Sequence, residues 1–213
     1  MYFCSPIQKS IEMRKALAIM ALVAAMFVAG NVQAQSTLYA TYAPETFVAS
    51  SNSTNYQGFS IGFSQNIDLY KGLGVAAGAQ FRMNTRSATQ TLWGFTGKTK
   101  ETQILVDVPI LFNYKIAVNR DLAIVPFVGP MPSLALTGTT KGVDPIFGET
   151  SSNWYGDNSN RNRFNLYVVL GADVKYSNFN LFGGYRFGLL DLDKSDNYTL
   201  KANGFFVGLG YTF

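Results

Sequence analysis

The stretch Phe164-Asn-Leu-Tyr-Val-Val-Leu-Gly-Ala-Asp-Val-Lys-Tyr176 decides the fold. Its even positions are Phe164, Leu166, Val168, Leu170, Ala172, Val174 and Tyr176, all apolar or aromatic. Its odd positions are Asn165, Tyr167, Val169, Gly171, Asp173 and Lys175. Successive side chains of a strand point to opposite faces, so a period of two marks a strand with one apolar face. After a short connection at 176–178 the pattern resumes in Phe179-Asn-Leu-Phe-Gly-Gly-Tyr-Arg-Phe187, with Phe, Leu, Gly, Tyr and Phe on the odd positions.

Outward from this pair the alternation repeats. Ile104, Val106, Val108, Ile110, Phe112 and Tyr114 alternate with Leu105, Asp107, Pro109, Leu111 and Asn113. Leu73, Val75, Ala77, Ala79, Phe81 and Met83 alternate with Gly74, Ala76, Gly78, Gln80, Arg82 and Asn84. The pattern predicts eight strands, near 36–47, 56–66, 73–86, 102–116, 122–138, 163–175, 179–190 and 200–213. Many exceed the roughly 5–6 residues usual in globular sheets, and about 9–11 tilted residues cross a bilayer. No segment of this part of the chain shows sustained helical periodicity. The connections at 67–72, 117–121 and 176–178 are short, whereas 48–55, 87–101, 139–162 and 191–199 are longer and polar. Outer-membrane barrels sort their loops this way, with short periplasmic turns and longer extracellular loops.

Alternation does not say which face points outward. A soluble ligand-binding barrel is apolar inside, and a membrane barrel is inverted. Three features favour inversion. The apolar face stays apolar over nearly whole strands. The other face is rich in glycine (Gly58, Gly62, Gly74, Gly78, Gly171, Gly184, Gly208, Gly210), as a narrow interior requires. Aromatics gather near strand ends, as membrane girdles do. The final strand, Gly204-Phe-Phe-Val-Gly-Leu-Gly-Tyr-Thr-Phe213, places Phe205, Val207, Leu209, Tyr211 and Phe213 on one face. That ending resembles the signal read by the outer-membrane assembly machinery, with Tyr211 and Phe213 as its core.

Part of the apolar content has another origin. Met13-Arg14-Lys15 precedes the run Ala16–Gly30, followed by Asn-Val-Gln-Ala34. A basic start, a short apolar run and small residues at Val32 and Ala34 predict a signal peptide over 1–34, with Met13 as the true start. The run is short for a membrane helix, which needs about 20 residues. No cysteine follows it to accept a lipid. The expected domains are thus a signal peptide, 1–34, and an outer-membrane β-barrel, 35–213.

The full chain has 213 residues, 17 basic and 13 acidic side chains and a net charge of +4. Without 1–34, it has 179 residues, 14 basic and 12 acidic side chains, and a net charge of +2. The basic balance is largely a targeting feature, so no nucleic-acid partner is expected. Cys4 also leaves, which excludes an internal disulfide. With no histidine anywhere, Ser-His-Asp and Cys-His catalysis and histidine-ligated metal sites are excluded.

Val106-Asp-Val-Pro-Ile-Leu-Phe-Asn-Tyr-Lys115 resembles a strand of the PorT-like outer-membrane β-barrel family typical of Bacteroidetes. Val125-Pro-Phe-Val-Gly-Pro130 is similar to that family's Gly-Pro strand. Leu170-Gly-Ala-Asp-Val174 and Gly184-Tyr-Arg-Phe-Gly-Leu189 are similar to its last two blocks. The resemblance covers most of 56–213, and Ile110 departs from the usual leucine. Its motifs are structural, so it implies fold and location rather than activity.

Inside the barrel the pattern places Arg82, Asp107, Asp173, Lys175 and Arg186, with Gln80, Gln103, Asn113, Asn165 and Asn180 on the same faces. Buried charges need partners. Arg82 and Arg186 are expected to pair with Asp107, and with Glu45, near mid-barrel. Asp173 and Lys175 belong near the periplasmic rim. An eight-stranded interior is just wide enough to be filled by side chains, so this network, with Gln80, is expected to be a plug rather than a channel or ligand site. Asp191, Asp193 and Asp196 lack the glycine and distal glutamate of a calcium loop and form a solvated acidic loop. Trp93, Phe95, Trp154 and Tyr155 fall in long loops, where they mark a contact surface or sit at the membrane interface. Small outer-membrane barrel enzymes rely on a histidine that this chain lacks.

The expectation is therefore a monomeric, all-β, eight-stranded antiparallel up-and-down transmembrane barrel in the cell outer membrane. It needs no cofactor and has no catalytic or metal residues. Its partners are outer-membrane lipid, the assembly machinery and a surface protein or glycan contacted through loops 87–101 and 139–162. A small pore or a transport or secretion component is the alternative, and a soluble periplasmic barrel the third.

Overall fold

The computed structural model describes residues 34–49, 52–92, 95–144, 148–156, 159–194 and 199–213. Residues 1–33 of the expected signal segment 1–34, Trp93 and Asp196 lie outside them. Among the described residues the chain forms twelve strands and no helix. They are β1 (Ala34–Tyr42), β2 (Glu45–Ala49), β3 (Ser53–Tyr70), β4 (Leu73–Leu92), β5 (Phe95–Asp107) and β6 (Ile110–Tyr114). Then follow β7 (Ile116–Ala117), β8 (Leu122–Asp144), β9 (Gly148–Asn153), β10 (Phe164–Tyr176), β11 (Phe179–Gly188) and β12 (Leu200–Thr212).

These strands make eight ring positions: β1 with β2, then β3, β4, β5 with β6 and β7, β8, β10, β11 and β12. Each pairs antiparallel with its neighbour in the ring. The ring closes between β1 and β12, from Thr37↔Thr212 to Tyr42↔Val207. β9 lies outside the ring as a hairpin arm on β8.

Proline explains the two interrupted positions, because it brings no N–H to the ladder. Pro44 separates β1 from β2, while Ala43 N–H still bonds Gly58 O at 2.7 Å. A Cβ on Gly58 would stand 2.0 Å from the Ala43 oxygen, so the approach requires glycine. Pro109 separates β5 from β6. Beside it Val108 N–H still bonds Pro132 O of β8 at 2.9 Å, and Pro109 O accepts from Gly78 N–H of β4 at 3.1 Å. The β3–β4 turn has Lys71 at φ 47 and Gly72 at φ 89. Two central residues with positive φ make the two-residue hairpin that matches strand twist.

The inversion expected from sequence is the observed one. Leu38, Ile61, Phe81, Leu170, Leu181 and Leu209 stand on the outer face, Leu209 at 67% exposure. Glu45, Arg82, Asn84, Asp107, Ser133 and Arg186 are buried in the lumen. Water strongly disfavours so large an apolar belt, and lipid accepts it. This overturns the soluble-barrel alternative.

The expected loops 87–101 and 139–162 are largely strands. β4 and β5 pair without interruption from Gln80↔Asp107 to Leu92↔Phe95. β8 and β9 pair from Thr139↔Asn153 to Asp144↔Gly148. Ser87, Thr89, Lys98, Lys100 and Lys141 are polar, so this sheet projects beyond the apolar belt. A register shift beside Leu105 leaves Leu136 out of the ladder and exchanges inward and outward parity along β8.

Candidate functional site

The lumen carries the densest constellation of polar groups. Alternation on β4 turns Gln80, Arg82 and Asn84 inward together. β2 supplies Glu45, β5 Asp107, β8 Ser133 and β10 Tyr167 at nearby levels. Arg82 Nη1 donates to Glu45 Oε1 at 2.8 Å, and its Nε to Asp107 Oδ2 at 2.9 Å. Its Nη2 donates to Asp107 Oδ1 at 3.1 Å and lies 3.4 Å from Ser133 Oγ. Fork geometry of this kind suits a guanidinium between carboxylates.

The remaining carboxylate positions are taken by neutral donors. Tyr167 OH donates to Glu45 Oε1 at 2.6 Å, and Asn84 Nδ2 to Oε2 at 2.5 Å. Ser133 Oγ donates to Asp107 Oδ1 at 2.5 Å, and Gln80 Nε2 to Oδ2 at 2.8 Å. The side chains of Glu45, Arg82 and Asp107 have no exposed surface. The network therefore cross-braces β2, β4, β5, β8 and β10 and fills the lumen at that level. Tyr167, Asn84 and Ser133 were not singled out from sequence. Parity alone placed Tyr167 and Asn84 inward, but the β8 bulge and prolines hid the level of Ser133.

Arg186 departs from expectation. Among the described residues no ion pair joins it to Asp107. Its Nη2 donates to Ala43 O at 3.1 Å. The physical reason is occupancy: both Asp107 oxygens are already engaged by Arg82, Ser133 and Gln80. Arg186 and Arg82 instead flank the Tyr167 ring, at 5.9 and 5.3 Å from its centroid.

Above the network an aromatic layer fills the barrel mouth. Phe47, Tyr56, Leu192 and Leu200 are buried, with Trp154 packed against them. Trp154 Nε1 donates to Thr140 Oγ1 at 2.6 Å, and Gln103 Nε2 donates to Tyr155 OH at 2.6 Å. The Arg161 guanidinium lies 4.2 Å from the Trp154 ring, and that of Arg163 4.8 Å from Tyr155. Trp154 and Tyr155, expected at a contact surface or at the membrane interface, are instead folded into the mouth, because the β8–β9 arm returns them over it. Burial raises the Tyr155 phenol above its ordinary range. Phe95 opens β5 opposite Leu92.

Below the network, Asp173 accepts from Asn180 at 2.8 Å, and Asn113 donates to Asn66 at 2.7 Å. Tyr211 and Phe213 face outward, with Tyr211 edge-on to Phe179 at 5.4 Å between centroids. At the other end, Asp191 Oδ1 accepts the N–H groups of Asp193 and Leu200 at 3.0 and 2.8 Å. Asp193, expected in a solvated loop, is buried, because its bridge to Arg161 draws the segment over the mouth. Among the described residues no cluster has the composition of a metal site.

A closed strand ring with a lipid-facing belt and a lumen spanned by a polar brace defines an integral outer-membrane β-barrel. The chain belongs to the outer membrane protein beta-barrel domain family, whose model matches residues 24–194. It is a protein of the outer membrane. Among solved structures it is similar to Ail, the attachment invasion locus protein of Yersinia pestis, in complex with the heparin analogue sucrose octasulfate. There the identity is 18%, with 85% of this chain and 100% of that chain covered, at a TM-score of 0.49. A major outer membrane protein from Thermus thermophilus gives 16%, 84%, 99% and 0.45 for the same quantities. Neisserial surface protein A gives 15%, 84%, 97% and 0.44. No curated protein matches the chain.

Proposed function

We propose that this protein is a non-enzymatic outer-membrane barrel whose lumen is a structural seal and whose projecting sheet serves surface interaction. The observation that carries this is the Glu45–Arg82–Asp107 brace, fully buried and hydrogen-bonded at mid-lumen. A conducting pore needs a wet path; here the narrow interior is spanned by side chains bonded to one another. The polar β4–β5 and β8–β9 extensions supply the surface that a protein or glycan partner would meet.

The same proposal includes a cleaved signal over 1–34 and membership of the PorT-like subtype of Bacteroidetes barrels. The resemblance at Val106–Lys115 supports the latter. The protein acts as a monomer without a cofactor, surrounded by outer-membrane lipid. Purified barrel in planar bilayers tests the seal: no stepwise ion conductance is expected from the native chain. Steady conductance that survives repurification would establish the small-pore alternative.

A further inference from the structure

The brace leaves one buried cation without an acceptor at one of its donors. Every carboxylate oxygen of Glu45 and Asp107 is engaged by Arg82, Tyr167, Asn84, Ser133 or Gln80. Arg186 is 2% exposed, and its Nε has no hydrogen-bond partner. An unsatisfied buried guanidinium N–H is costly, and such a group calls for an explanation.

Arg186 also lines a lumen cavity of about 130 Å³ on the side of the brace toward the Ser177–Asn178 turn. Its walls are largely apolar: Leu111, Phe127, Met131, Phe182 and Phe206 face it. The Phe127 and Phe206 rings stack at 6.4 Å, interplanar 25°. Its charged lining residues are Arg186, Lys175 and Asp173, so the lining carries a net +1. A cavity lined by a guanidinium that keeps one donor unpaired, by largely apolar walls and by a net positive charge has the chemistry of a site for a small apolar anion.

We propose that this cavity binds a short aliphatic or aromatic monocarboxylate, its carboxylate on Arg186 and its apolar body among Phe127, Phe182 and Phe206. The ligand enters from the turn end, because the brace closes the other. The site is independent of the surface role proposed above.

The test is titration of the folded barrel in lipid nanodiscs with hexanoate, read at the Arg186 Nε–H resonance. Saturable movement is expected, with a dissociation constant on the order of 1 mM for a ligand of this size. Hexanol, which lacks the charge, should bind at least tenfold more weakly. Ala76 lines the same cavity, and Ala76→Leu should fill it and abolish the hexanoate response. Folding of that variant is checked by heat-modifiable mobility. If the variant misfolds, Val169→Phe, at another lining position, replaces it. No saturable movement, an equal response to hexanol, or an undiminished response in the folded filled variant would each overturn the proposal.

Discussion

At the residue scale, Arg82 is the pivot of the lumen. It satisfies two buried carboxylates from one guanidinium, so its removal leaves both uncompensated in a low-dielectric interior. Arg82→Met should therefore destabilise the barrel by about 3–5 kcal/mol, measured by urea unfolding in lipid vesicles. Tyr167→Phe is milder. It keeps the ring between two cations and deletes only the bond to Glu45, so a loss of roughly 1–3 kcal/mol is expected. If both variants cost the same, the brace depends on ring packing rather than on the ion pair.

At the scale of elements, Gly72 sits at φ 89 in the β3–β4 turn. Gly72→Val should cost more than about 1 kcal/mol, because a β-branched residue resists positive φ. It should also slow folding without changing the final far-ultraviolet spectrum.

The strands legible in sequence are those with different solvents on their two faces. Phe164–Tyr176 has lipid on one side and a packed lumen on the other, and period two reports that contrast. Ser87, Thr89, Lys98 and Lys100 have no such contrast. Both faces of the extension are polar, so continued strand resembled a loop. Arg82 and Asp107 could be placed inward by parity alone. The partner of Arg186 could not, because the level of a side chain depends on the stagger between strands. Trp154 was legible as an aromatic in a polar stretch, but its direction was set by the β8–β9 return, which local sequence does not encode.

Orientation in the membrane is a property of the whole molecule. The short turns near Asn119 and Ser177 and the meeting of Ser36 with Phe213 define one end. The polar β9 arm defines the other. Cys4 is the sole cysteine of the chain; loss of 1–34 leaves a cysteine-free background for labelling. Ser151→Cys should react with a membrane-impermeant maleimide on intact cells, and Asn119→Cys only after the outer membrane is breached. The reverse pattern would invert the proposed orientation.

The outer belt is the other whole-molecule property, and it makes the sharpest quantitative claim. Leu209 is 67% exposed on the outer face, midway between Phe205 and Phe213. In water an arginine at so exposed a position would cost almost nothing. In a bilayer Leu209→Arg puts the charge near the midplane, so destabilisation of about 2–4 kcal/mol is expected. Val48 is also exposed, but it pairs with Lys201 at the loop end of the belt. Val48→Arg should therefore cost only about 0–1 kcal/mol. Equilibrium unfolding of both variants in vesicles separates the two costs. Equal costs at the two sites would mean that the apolar belt does not span the hydrocarbon core, and the ring would then need another solvent for its outer face.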